Sequence, residues 1–124
     1  MISCEEILGR EFDWIAVDSI GSYALFSSAG GGLIPVEVIP LIQYFDELTD
    51  RFETPHWGSD AVWDDYANLG MFVFDSDSFG GVYTRLREPS TPLSPQVRER
   101  LNKLPNRVVF DGSFSTTETI HTWR

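Results

Sequence analysis

Residues 12–27 read Phe12-Asp-Trp-Ile-Ala-Val17, Asp18-Ser-Ile-Gly21, Ser22-Tyr-Ala-Leu-Phe-Ser27. Phe12, Trp14 and Ala16 fall on one face and Ile15 and Val17 on the other, the period-2 signature of a strand. Asp18 to Gly21 is a turn, and Ser22 to Ser27 is a second strand. A β-hairpin closed by a glycine-containing loop follows from that pattern. A second hairpin is expected downstream. There Met71-Phe-Val-Phe74 is a strongly apolar strand, Asp75 to Ser78 a turn, and Phe79 to Arg87 the return strand. Gly80-Gly81 in the return strand suggests a bulge.

Between the hairpins the period changes. Leu41, Phe45, Leu48 and Phe52 recur at helical intervals, predicting a helix over about 38–53. Pro40 is tolerated only in its first turn, and Pro55 stops it. The opposite face carries Gln43, Asp46, Glu47, Asp50 and Glu53. A shorter helix is expected over 60–69, with Ser59 as N-cap and Gly70 at C′. Val62, Trp63 and Tyr66 face inward, and Asp60, Asp64 and Asp65 face out. Ser94-Pro95 opens a third helix whose stripe is Val97, Leu101 and Leu104. Pro105 ends it, and Arg98, Arg100 and Lys103 line its exposed side. Val108 to Phe110 reads as a last short strand. Phe114 is expected to pack, and the polar tail 115–124 to be loose.

The resulting order, β-β-α-α-β-β-α-β, predicts an α+β fold. It is a single domain spanning 1–124. An antiparallel sheet of two hairpins plus a short strand carries three helices, packed mainly on one face.

Composition narrows the function. The 124 residues hold 19 acids against 9 bases, a formal net charge of −10. Phosphate binding needs net Lys and Arg, so nucleic acid is excluded as a partner. The acidity is concentrated: residues 1–84 net −13 and residues 85–124 net +3. Seventeen aromatics supply a core and exclude a disordered chain. No stretch is long and apolar enough to span a bilayer, and Met1 to Arg10 lacks the pattern of a signal peptide. The lone Cys4 forms no internal disulfide. Together these point to the cytoplasm.

No motif carries a catalytic, cofactor or metal signature. Gly30-Gly31-Gly32 is not followed by Gly-Lys-Ser/Thr, so it reads as a structural or mobile loop rather than a phosphate cradle. Ser27 and Ser28 do not sit in G-x-S-x-G. Asp75, Asp77 and Gly80 match three positions of a calcium loop, but Phe79 and Leu86 stand where ligands belong. His56 and His121 lack metal-ligand spacing. Cys4 has no activating neighbour in sequence. Asp64 and Asp65 are adjacent on a helix and do not converge as an acid–base pair. Trp14, Trp57, Trp63, Tyr66 and Phe72 are mostly core, with room among the Trp and Tyr residues near the acidic helix for an interface anchor.

Several stretches share a further pattern: Phe12-Asp-Trp-Ile-Ala-Val-Asp18 with Gly21, Ala24-Leu-Phe-Ser-Ser-Ala-Gly30 with Ile34-Pro35, Gly70-Met-Phe-Val-Phe-Asp75, Tyr83 to Leu93, and Val108 to Phe114. Over most of 12–114 the chain resembles small acidic bacterial immunity proteins of polymorphic and contact-dependent toxin systems. The resemblance implies a non-enzymatic, single-domain inhibitor that binds one toxin domain. It carries over no individual site residue.

The charge layout adds a surface. Asp46, Glu47, Asp50, Glu53, Asp60, Asp64 and Asp65 form the expected partner-binding face, suited to a basic toxin domain such as a nuclease. The alternatives are a general regulatory or interaction module, and a small-molecule-binding protein using the glycine loop and the Trp-rich segment as a pocket.

Overall fold

A computed structural model describes residues 11–76 and 81–123. Its strands are β1 (Asp13–Val17), β2 (Tyr23–Ser27), β3 (Phe72–Ser76), β4 (Tyr83–Arg87) and β5 (Thr119–Ile120). Its α-helices are α1 (Ile42–Asp50), α2 (Val62–Asn68) and α3 (Pro95–Asn102). The strands form one sheet in the order β1-β2-β3-β4-β5. The fold is a single α+β domain.

Both hairpins form as expected, β1 antiparallel to β2 and β3 to β4. The sheet is mixed rather than wholly antiparallel, because β2 and β3 run parallel. The cause is the connection: α1 and α2 lie between these strands, and a helical crossover returns the chain in its original direction. A register shift falls between Val73 and Phe74, where Leu86 of β4 is the extra residue. Gly80 of the expected bulge lies outside the described residues. Asp75 and Ser76 extend β3 rather than turning.

The long helix is divided. Val36–Leu41 is a 3₁₀ helix containing Pro40, and the α-helix begins only at Ile42. Proline has no N–H to donate and crowds the preceding turn, so α geometry starts after it. Ser94 and Pro95 take the expected N-cap and N1 positions of α3. Gly70 ends α2 with φ +95°, and its α-carbon lies so close to Leu93 that no side chain fits. Ser59 does not cap α2. Its hydroxyl donates to the His56 carbonyl at 3.0 Å, and the helix starts at Val62.

Two expectations for the C-terminal part are corrected. Val108–Phe110 is no full strand but a single parallel bridge from Val109 to Val17. It is held by the Val17 amide on the Val108 carbonyl (2.9 Å) and the Phe110 amide on the Val17 carbonyl (2.8 Å). The tail is tied down. β5 pairs with β4, and Trp123 packs edge-on against Trp14 and Phe26.

The aromatics explain that attachment. Trp14, Phe26 and Phe74 occupy registered positions on neighbouring strands and stack, with centroids 4.2 and 5.0 Å apart. Tyr83 and Phe114 meet Phe26 edge-on. The polar tips are satisfied: Trp14 Nε1 donates to Tyr83 Oη (3.1 Å), which donates to the Leu33 carbonyl (2.9 Å). Asp18 is buried at the first turn. It accepts from the Ile20 and Ser22 amides and, across the chain, from the Phe114 amide at 2.9 Å. One carboxylate thus fixes the hairpin and docks the segment that covers this sheet face.

The opposite alternation places Asp13, Ile15 and Val17 of β1 towards α1. Asp13 pairs with Ser27, which pairs with Asp75, so one polar row crosses β1, β2 and β3 near the end of an otherwise apolar face.

Candidate acidic cleft

The polar row opens into a cleft. Asp13 and Ser27 contribute from the sheet, Asp46, Thr49 and Asp50 from α1, and Val62, Trp63 and Tyr66 from α2. Phe12, Glu11, Asp60 and the loop residues Trp57 to Ser59 complete it, an open groove of about 460 Å³. Among the described residues that line it there is no lysine, arginine or histidine. Trp63 and Tyr66 make one wall, their rings tilted with centroids 6.5 Å apart. Trp57 stands at the mouth, 80% exposed. An indole left so open is unusual, since tryptophan is ordinarily well covered.

The cleft divides the expected partner-binding acids. Asp46, Asp50 and Asp60 line it. Glu47 faces a separate groove of about 370 Å³, where Arg51, Arg100 and Lys103 oppose Glu47 and Glu99, so the field there is mixed. Glu53 is exposed beyond the end of α1. Asp64 is exposed and paired with Arg87, whose Nε lies 2.8 Å from its carboxylate.

Asp65 is a correction. It was expected on the outer face, yet it is only 5% exposed. Its carboxylate accepts the His56 backbone N–H and meets His56 Nδ1, each at 2.8 Å. Burial alone raises its pKa, but the two hydrogen bonds and the charge of His56 outweigh that and hold it below the ordinary carboxylate value. Asp65 is therefore the anchor of the loop that presents Trp57. Sequence periodicity placed it outside because its inward partner, His56, lies in an irregular segment.

Asp13 and Glu11 were missed as cleft residues. Asp13 is pushed up to about 6 by burial, with Asp75, Asp46 and Glu11 adding repulsion and the Tyr66 hydroxyl opposing them. That hydroxyl sits 3.5 Å from Asp13 Oδ2, and burial next to Asp13 raises the Tyr66 pKa as well. Burial also raises Asp75, partly offset by its hydrogen bond with Ser27. A signal for Asp13 existed: an acid alternating in phase with Ile15 and Val17 sits on the core-facing side of its strand.

Trp14 and Phe72 are core residues, and Trp57 is the exposed anchor candidate. The glycine triplet is a packed turn rather than a cradle. Gly31 and Gly32 donate to the Ser28 carbonyl, and Gly32 lies against the Tyr83 ring with no space for a side chain. Cys4 and the Asp77–Gly80 part of the calcium-like motif lie outside the described residues. Among the described residues, no three His, Cys, Asp or Glu side chains converge closely enough to hold a metal ion. No described helix is long and apolar enough to cross a membrane.

Comparison with protein-family models, curated proteins and solved structures finds no match to this chain.

Proposed function

We propose that this is a non-enzymatic binding protein that captures a basic protein domain, in the manner of a cytoplasmic immunity protein neutralising a toxin. The observation that carries the reading is the cleft: Glu11, Asp13, Asp46, Asp50 and Asp60 line one concavity beside an exposed tryptophan. Clefts lined by one sign of charge focus the field and accelerate encounter with an oppositely charged partner. A rigid aromatic at the mouth supplies the apolar anchor that charge alone lacks. Catalytic sites cut for phosphate are basic, and an acidic surface is complementary to them.

The test has two steps. Tagged protein captures partners from lysate of its host, washed at low and at high salt. Association of the captured domain is then timed for the wild type and for an Asp46→Lys, Asp50→Lys, Asp60→Lys variant. The expected result is one basic domain, retained at low salt and lost at high salt. Charge reversal should slow its association at least about tenfold at low ionic strength. Absence of a basic partner, or an unchanged on-rate, refutes the proposal.

A further inference from the structure

We infer that the cleft receives one arginine side chain of the partner, its guanidinium set between the aromatic wall and the carboxylates. The inference rests on the capture reading and specifies its chemistry.

The walls point to this occupant independently of the charge. Trp63 and Tyr66 form a continuous aromatic side, and Trp57 stands exposed at the entrance. Indole faces attract cations, and arginine stacks on them more readily than lysine does. The carboxylates are distributed through the cleft rather than gathered at a point. Asp13 comes from the sheet, Asp50 from α1, and Asp60 from the loop before α2. No three of the described acids converge tightly enough for a metal ion. A compact ion is mismatched to that layout. A planar guanidinium with five N–H donors can address several separated oxygens at once. The volume, about 460 Å³, is in the range of small-ligand sites and admits one long side chain.

The probes are acetylated, amidated tri-arginine, tri-lysine and tri-citrulline peptides, titrated into the full chain at low salt. The readout is the indole N–H signals of Trp57 and Trp63 in nitrogen–proton correlation spectra, assigned with Trp57→Phe and Trp63→Phe variants. Tri-arginine should shift both signals saturably and bind at least about fivefold tighter than tri-lysine. Tri-citrulline, which keeps the shape and loses the charge, should leave them in place. Trp57→Ala should weaken tri-arginine about two- to fivefold. An Asp50→Asn, Asp60→Asn variant should weaken it further, with its spectrum otherwise unchanged.

Equal affinity for the lysine peptide, or tri-arginine leaving both indoles unmoved, overturns the inference. The two failures are separable. Partner capture that persists while the peptides leave the indoles unmoved sinks only the arginine assignment. Peptide shifts without a basic partner sink only the capture reading.

Discussion

Replacing Asp13 with asparagine should stabilise the protein at neutral pH, although it alters a buried group in the candidate site. Asp13 faces Glu11, Asp46 and Asp50, with Asp75 two strands away, and its favourable partner among the described residues is the Tyr66 hydroxyl. Its carboxyl rises from 3.8 to about 6 on folding. The folded state therefore binds the proton more tightly than the unfolded one. Its contribution is most favourable below pH 3.8, declines as pH rises through the window to about 6, and is a constant penalty above that. At about 1.4 kcal/mol per pH unit, ionised Asp13 costs about 3 kcal/mol at pH 7. Asparagine keeps an oxygen for the Tyr66 hydroxyl and carries no charge. Urea unfolding of both proteins at half-unit steps from pH 4 to pH 8 isolates the effect, because the other titrating groups are common to both. The stability difference should be near zero at pH 4, grow in favour of the variant, and level off above pH 7. A difference that stays flat with pH, or that favours the wild type at pH 7, refutes the reasoning.

Other substitutions probe other parts of the argument. Asp65→Ala should lower the urea midpoint more than Asp64→Ala and should alter the Trp57 indole signal, since Asp65 holds the His56 loop and Asp64 only meets Arg87 at the surface. The Asp65 contribution should be present at neutral pH and disappear as pH falls below 3.8 through its depressed pKa, read as proton-linked unfolding below pH 4. Gly32→Ala should destabilise by about 1–3 kcal/mol in chemical denaturation, because its methyl group would lie 2.5 Å from the buried Tyr83 Oη. Trp123→Ala should cost about 2 kcal/mol by the same assay, less than a fully buried tryptophan, since the ring packs on Trp14 and Phe26 but is partly exposed.

The locally encoded parts of the fold were legible. Alternation in Phe12–Ser27 and helical spacing in Leu41–Phe52 need only near neighbours, and both elements form. Pro95 and Gly70 act through backbone geometry, so they too are readable in place. The parallel pairing of β2 with β3 is set by the path of two intervening helices, which no local pattern reports. β5 has two residues, too few to show a period. The candidate site follows the same division. Asp46, Asp50 and Asp60 stand out as acids on polar positions. Asp13 belongs to the site only because β1 carries it under α1, and Asp65 leaves the surface only because an irregular loop folds back over it.

The segment from Val108 to Trp123 works on both borders of the sheet. At one border it bridges to Val17 of β1, and at the other it supplies β5 to β4. Sheet borders present unpaired donors and acceptors that can template self-association. Here a single stretch of chain blunts both, fastened between them by the Asp18 carboxylate at Phe114 and by the Trp123 ring. Its protections are thus linked rather than separate. A lesion that frees this segment uncovers two adhesive rims at once, opening both to strand exchange between copies of the chain.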